Sequence, residues 1–85
     1  MQGIMDNVET LKQAFVAGLA VPEGSHFENL EYRGLREWNS VAHMQLIIEI
    51  ENAFGIMLPT EDVIDLSSFR KAKEILTKHG VSFPA

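Results

Sequence analysis

The sequence predicts an all-α fold, a small four-helix bundle with three longer helices, one short third helix and a long first loop. Apolar residues recur at three- and four-residue spacing in three stretches, which is the period of a helix face that packs on a core. No stretch has the alternation of a strand, and no repeat or low-complexity tract interrupts the pattern. The 85 residues therefore predict a single domain, residues 1–85.

Composition excludes several classes of function. The net charge of −5 argues against nucleic acid and favours partners with basic patches. Without cysteine there is no disulfide, no zinc ribbon and no thiol of the protein's own. No signal peptide or membrane-length apolar run is present, so we expect a cytoplasmic protein with no membrane span. A chain this small is not expected to enclose a deep active site, and we expect a monomer that is not an enzyme and binds no metal.

The first predicted helix ends near residue 20. Gly18 weakens its last turn, and the run Val21-Pro22-Glu23-Gly24 stops it. Its inward face consists of Ile4, Val8, Leu11, Phe15 and Leu19.

The following connection, from Pro22 to Trp38, has no sustained periodicity but many apolar residues. We expect an ordered loop that lies across the core, with one short helical turn near Glu28–Glu31. The side chains that would hold it there are Phe27, Leu30, Tyr32, Leu35 and Trp38.

The second helix is predicted from Ser40 to Phe54, with Asn39 or Ser40 as its N-cap and Gly55 directly after it. Its inward stripe is His43, Leu46, Ile47, Ile50 and Phe54, and Gln45, Glu49 and Asn52 point more outward. Three further apolar residues, Val41, Met44 and Ile48, share a flanking face. They form either a wider core contact or a docking surface.

Two more helices follow a short apolar linker that ends at Pro59. Thr60–Asp65 predicts one or two capped turns, with acids at the positive end of the helix dipole. Ser67 or Ser68 caps the last helix, in which Lys78, His79 and Gly80 form the end and the dipole accounts for His79. The inward face of that helix is Phe69, Ala72, Ile75 and Leu76, and the tail 81–85 is expected to fold back by one apolar contact.

Ser40 is the strongest candidate for chemistry. A hydroxyl at a helix start lies beside unpaired N–H groups and the positive end of the dipole, which together favour a phosphate. Two other roles compete with this one. Ser40 could be only the N-cap, or it could pair with His43 three residues on, although no orienting acid or oxyanion loop supports a hydrolase.

Beyond these local features, an ordered pattern resembles the acyl carrier protein family. It consists of Trp38-Asn39-Ser40-Val41-Ala42-His43-Met44, then Glu51-Asn52-Ala53-Phe54-Gly55-Ile56, then Glu61-Asp62-Val63 and Leu66-Ser67-Ser68-Phe69. The resemblance covers roughly Tyr32 to Leu76, about half the chain. The Asp-Ser-Leu motif of that family would be weak evidence alone, and most of the support for the resemblance comes from the ordered pattern downstream of it.

The resemblance implies a discrete carrier that holds acyl intermediates as thioesters. A phosphopantetheinyl transferase would attach 4′-phosphopantetheine covalently to Ser40, with Asn39 as the helix cap that the transferase meets. Acyl-loading and acyl-transfer enzymes would then be the other partners. They would dock on Val41, Met44, Gln45, Ile48 and Glu51. The acyl chain would lie in a groove whose candidate residues are Leu46, Ile47, Ile50, Leu58, Val63 and Ala72, each of which ordinary core packing also explains.

The chain also departs from the family pattern. Asn39 stands where the family has Asp and Val41 where it has Leu, while neutral residues replace acids at Ala42, Gln45, Asn52 and Ala53. These departures indicate dedicated partners, as in polyketide, lipid or surface-polysaccharide pathways, rather than the general enzymes of fatty acid synthesis. The alternative is a helical interaction module that carries no prosthetic group and docks through Val41, Met44 and Ile48.

Overall fold

Four helices make up the regular structure of the described residues, in a computed structural model that describes residues 6–22, 24, 26–27, 30–32 and 38–83. They are α1 (Asn7–Leu19), α2 (Ser40–Phe54), α3 (Thr60–Asp65) and α4 (Phe69–Lys78). The predicted all-α bundle, with its short third helix and long first loop, is confirmed. Ile4, Leu35 and half of the turn expected near Glu28–Glu31 lie outside the described residues, although the Leu30 N–H donates to the Phe27 carbonyl at 3.0 Å.

Local capping signals fix the ends of the helices. The Asp6 carboxylate accepts from the Glu9 N–H at 2.9 Å to begin α1, and the Ser68 hydroxyl accepts from the Lys71 N–H at 2.9 Å to begin α4. Ala20 ends α1 in the left-handed conformation, with φ of 57°, a conformation that costs a non-glycine residue free energy. The prediction of a capped α3 is wrong in one respect, because Pro59 precedes that helix and supplies no side-chain cap.

Gly18 has a larger role than weakening a helix turn, which is what the sequence indicated. A Cβ atom at this position would lie 2.6 Å from the Leu46 Cα and 3.0 Å from its backbone nitrogen. Leu46 is fully buried in the middle of α2. The absence of a side chain at Gly18 therefore allows α1 and α2 to approach at backbone distance.

The apolar residues of the first loop that the structure describes pack on the core, as predicted. Phe27 and Trp38 are buried, and the Phe15 ring contacts the edges of both Trp38 and Phe69 at centroid distances of 5.4 and 5.0 Å. A single antiparallel bridge between Glu31 and Ser68 then ties the loop to the start of α4. Apolar burial and this bridge together hold Phe27, Glu31 and Trp38 in place.

An ion-pair cluster joins α3 to the end of α4. The Asp62 carboxylate is 1% exposed and accepts from Lys78 Nζ at 2.6 Å and from His79 Nε2 at 2.7 Å. The hydrogen bond from Lys78, followed by that from His79, holds the pKa of Asp62 below its usual value of 3.8, and the same bond raises the pKa of Lys78. The helix dipole alone therefore does not account for His79, and Asp62 fixes α3 against α4.

The tail folds back as expected. The Phe83 ring meets the Phe54 ring edge-on at a centroid distance of 6.4 Å. In addition, Asn7 Nδ2 donates to the Ser82 carbonyl oxygen at 2.7 Å. Both ends of the described chain are thus held near the base of the helices.

Candidate functional site

The site is centred on Ser40, which is the first residue of α2 and is exposed. Asn39, not Ser40, is the N-cap: its Oδ1 accepts from the Ala42 N–H at 2.9 Å, and its carbonyl accepts from the His43 N–H at 2.8 Å. Within the part of the chain that the structure describes, no hydrogen bond engages the Ser40 hydroxyl. The hydroxyl therefore remains open to a reaction partner at a helix start that favours negative charge.

His43 lies one turn further on, and its contacts define its tautomer. Trp38 Nε1 donates to His43 Nδ1 at 2.9 Å, and an indole N–H can only donate. Nδ1 is therefore the acceptor, so Nε2 carries the hydrogen and donates to the Val63 carbonyl oxygen at 2.7 Å. Both ring nitrogens are engaged, and neither is left to take a proton from Ser40.

An open cavity of about 320 Å³ lies between the start of α2 and α3, next to Ser40. Its walls are mostly apolar, and its volume is at the lower end of small-molecule sites. We call it the Ser40 cavity. It is lined by Tyr32, Ser40, His43, Met44, Val63 and Ile64.

The flanking face of α2 is exposed rather than buried in the core. Val41 is 80% exposed, Met44 53% and Ile48 46%. Ile64 of α3, which shares the Ser40 cavity with Met44, is also exposed. Exposed apolar side chains that lie together near one candidate residue indicate an interaction surface, whereas the same residues scattered over a surface do not. We refer to Val41, Met44 and Ile48 as the docking face.

The two polar residues predicted to join the docking face differ in what holds them. Gln45 is exposed and donates to the Glu49 carboxylate at 3.1 Å along the same helix. Glu51 is half-buried, and its carboxylate accepts from the Leu58 N–H at 2.8 Å. Glu51 thus has a structural role at the end of α2, because it holds the linker that leads to α3.

The predicted acyl groove is closed in this structure. Leu46, Ile50 and Ala72 are fully buried, and Ile47 and Leu58 are no more than 7% exposed. All five belong to the core cluster, whereas Val63 is half-buried and reaches the Ser40 cavity. Of the six predicted groove residues, Val63 alone is among those that line the open volume beside Ser40.

The electrostatics near Ser40 are close to neutral on α2. No acidic residue lies in the first turn of this helix. Acids are concentrated instead in the first turn of α3, where Asp62 forms an ion pair with Lys78 and a hydrogen bond with His79. A negatively charged group on Ser40 would therefore meet the helix dipole without a like charge in the same turn.

No helix in the described ranges is long and apolar enough to cross a membrane, and no cluster of potential metal ligands occurs among the same residues. The chain matches no protein-family model, and neither a curated protein nor a solved structure is significantly similar to it.

Two parts of the site were not predicted from the sequence. The sequence placed His43 on an inward stripe, as a contact to the loop or as a partner of Ser40, and Tyr32 only in a loop held across the core. Residue spacing alone does not show that Trp38, His43 and Val63 form one hydrogen-bonded chain from three separate elements. The tryptophan five residues before the histidine was the available signal, since a buried indole N–H requires an acceptor.

Proposed function

We propose that this protein is an acyl carrier whose Ser40 receives a covalent 4′-phosphopantetheine arm. The single observation that carries the proposal is the exposed Ser40 hydroxyl, freed from capping by Asn39, at the edge of an apolar cavity. The resemblance of the segment from Trp38 to Phe69 to acyl carrier proteins points to the same residue. When bound, the arm supplies the thiol that the chain itself lacks.

Attachment requires little from this chain beyond presentation of a hydroxyl. The Ser40 oxygen forms a bond to the phosphorus of coenzyme A next to the pantetheine, and the pyrophosphate P–O bond breaks. The leaving group is 3′,5′-adenosine bisphosphate, and the hydroxyl proton passes to a base of the transferase. The start of α2 then stabilises the phosphodiester through its dipole.

The engagement of His43 supports a carrier rather than a hydrolase. Nucleophilic catalysis by Ser40 requires a base that can accept its proton. Trp38 and Val63 occupy both nitrogens of the nearest candidate base. The docking face next to Ser40 gives partner enzymes an apolar surface. The first turn of α2 contains no acidic residue, which favours dedicated partners of a specialised pathway.

The rival function is a helical interaction module that uses the docking face and carries no arm. It rests on the same exposed residues, Val41, Met44 and Ile48, and on the neutral Asn39 in front of Ser40. The two functions differ in what happens at the Ser40 hydroxyl.

The test is the intact mass of the purified protein after incubation with coenzyme A and a broad-specificity phosphopantetheinyl transferase. We expect a mass gain equal to one phosphopantetheine in the wild type and none in the Ser40→Ala variant. Ser67→Ala is the matched control, because this exposed serine lies outside the site and its loss should leave the gain unchanged. No gain with several transferases, or a gain that survives Ser40→Ala, would contradict the proposal.

A further inference from the structure

We propose that His43 closes the floor of the Ser40 cavity, so that the carrier seats short acyl groups at its surface and keeps longer chains out of its core. This inference rests on the proposed function, since it concerns the group carried on Ser40. It identifies a class of cargo and a residue that sets its size.

The floor is built from the contacts of His43. The imidazole lines the cavity, and it also lies against the buried Trp38 ring at a centroid distance of 6.1 Å and an interplanar angle of 20°. Hydrogen bonds to Trp38 Nε1 and to the Val63 carbonyl fix the ring at both nitrogens. Moving this ring aside would leave the buried indole N–H without its acceptor, which is costly inside a protein.

Next to His43, the described core residues pack against one another in one cluster. Trp38, Leu46 and Ile50 are each 0% exposed, and the Tyr32 ring covers His43 from the loop side at a centroid distance of 5.2 Å. A chain that entered the core would have to displace packed side chains as well as the His43 hydrogen bonds. The surface cavity next to Ser40 can therefore receive a chain without displacing these packed residues.

The volume of the cavity limits how much of an acyl chain it can cover. A water molecule takes up roughly 30 Å³ in the liquid, and a methylene group is of similar size. The cavity of about 320 Å³ then holds about ten non-hydrogen atoms. This corresponds to an acyl group of about eight carbons together with its thioester oxygen and sulfur. The lining by Met44, Val63 and Ile64 favours an apolar chain.

The experiment loads Ser40 with acyl-phosphopantetheine from coenzyme A thioesters of 4, 8, 12 and 16 carbons and records methyl NMR spectra. Intact mass first establishes loading, which tests the proposed function separately. Relative to the protein with the unacylated arm, the methyl signals of Met44, Val63 and Ile64 should move with the 4- and 8-carbon groups and then change no further. The signals of Leu46 and Ile50 should not move at any length. Met57, exposed and outside the cavity, is the internal reference.

Three results would overturn the inference. Core signals that move progressively up to 16 carbons would mean that the chain enters the bundle. If the methyl signals of the cavity residues shift when the unacylated arm is attached and do not change further when an acyl group is added, the arm itself fills the cavity. No mass gain would remove the proposed function and this inference together.

Two variants test the role of His43. In His43→Ala the floor opens, so Leu46 and Ile50 signals should move with the 12-carbon group. In His43→Gln one amide can accept from Trp38 and donate to Val63, so the wild-type limit near eight carbons should return. Should His43→Ala fail to fold, the length series on the wild type decides alone. If the wild type, His43→Ala and His43→Gln give the same methyl shifts at every acyl chain length, the assignment of the floor to His43 is refuted.

Discussion

Replacing Gly18 by alanine sets two effects against each other, and the structure decides which is larger. Within a helix, alanine is favoured over glycine by about 1 kcal/mol. The new Cβ, however, would lie 2.6 Å from the Cα of Leu46, which is backbone rather than a movable side-chain end. Overpacking of this kind costs about 1–3 kcal/mol, and a backbone clash belongs in the upper half of that range.

The expected net effect of Gly18→Ala is therefore a loss of about 1–2 kcal/mol in the free energy of unfolding. For a domain of this size, each kcal/mol lowers the melting temperature by about 4–8 °C. Urea titration followed by circular dichroism measures the free energy, and a thermal scan measures the melting temperature.

Gly24→Ala is the control for that experiment. A Cβ atom at Gly24 would meet no heavy atom within 4 Å, and the φ of this residue is not in the left-handed region. Its substitution should change the free energy of unfolding by no more than about 0.5 kcal/mol. If Gly18→Ala were more stable than the wild type, helix propensity alone would govern the position and the close approach of α1 to α2 would be wrong.

Three more predictions concern a helix end, the ion-pair cluster and the docking face. Ala20→Gly should raise the free energy of unfolding by about 0.5–1 kcal/mol in urea titrations, because glycine adopts the left-handed φ without strain. A variant less stable than the wild type would refute the assignment of strain to Ala20. Since the pKa of Asp62 is lowered and that of Lys78 raised, their pairing should stabilise the fold at neutral pH. That stability should be lost at acid pH as the pH falls through the folded-state pKa of Asp62, which lies below 3.8, and at alkaline pH as it rises through that of Lys78, which lies above 10.5. In thermal scans, the Asp62→Asn variant should not show the loss of stability at acid pH. Ile48→Glu should raise the KM of a loading enzyme for this protein about tenfold, because the charge lies on the docking face. The control Met57→Glu should leave that KM unchanged. If Ile48→Glu unfolds the protein, Ile48 belongs to the core instead.

Local signals in the sequence were sufficient for the helices. The bounds of α2 and its end at Gly55 were predicted, and its N-cap was narrowed to Asn39 or Ser40, because capping depends on a few adjacent residues. The exposure of Ser40 follows from the same reasoning. Whether the docking face was core or surface was left open by its spacing, and its exposure resolves that alternative.

What the sequence did not reveal depends on contacts between elements. Asp62 has the pattern of an acid in a first helical turn, and only the crossing of α3 and α4 makes it a buried partner of Lys78 and His79. Gly18 looked like a weak helical residue because its neighbour Leu46 is distant in sequence. The Ser40 cavity was missed for the same reason, since Tyr32 and Ile64 reach it from different segments.

The central claim is that the cell modifies Ser40. Tryptic cleavage after Arg36 and Arg70 gives one peptide, residues 37–70, that contains Ser40. In protein isolated from the cells that make it, we expect this peptide to be heavier by one phosphopantetheine, with or without an acyl group, and fragmentation to place the addition on Ser40. An unmodified peptide from cells whose other carriers are modified would contradict the account.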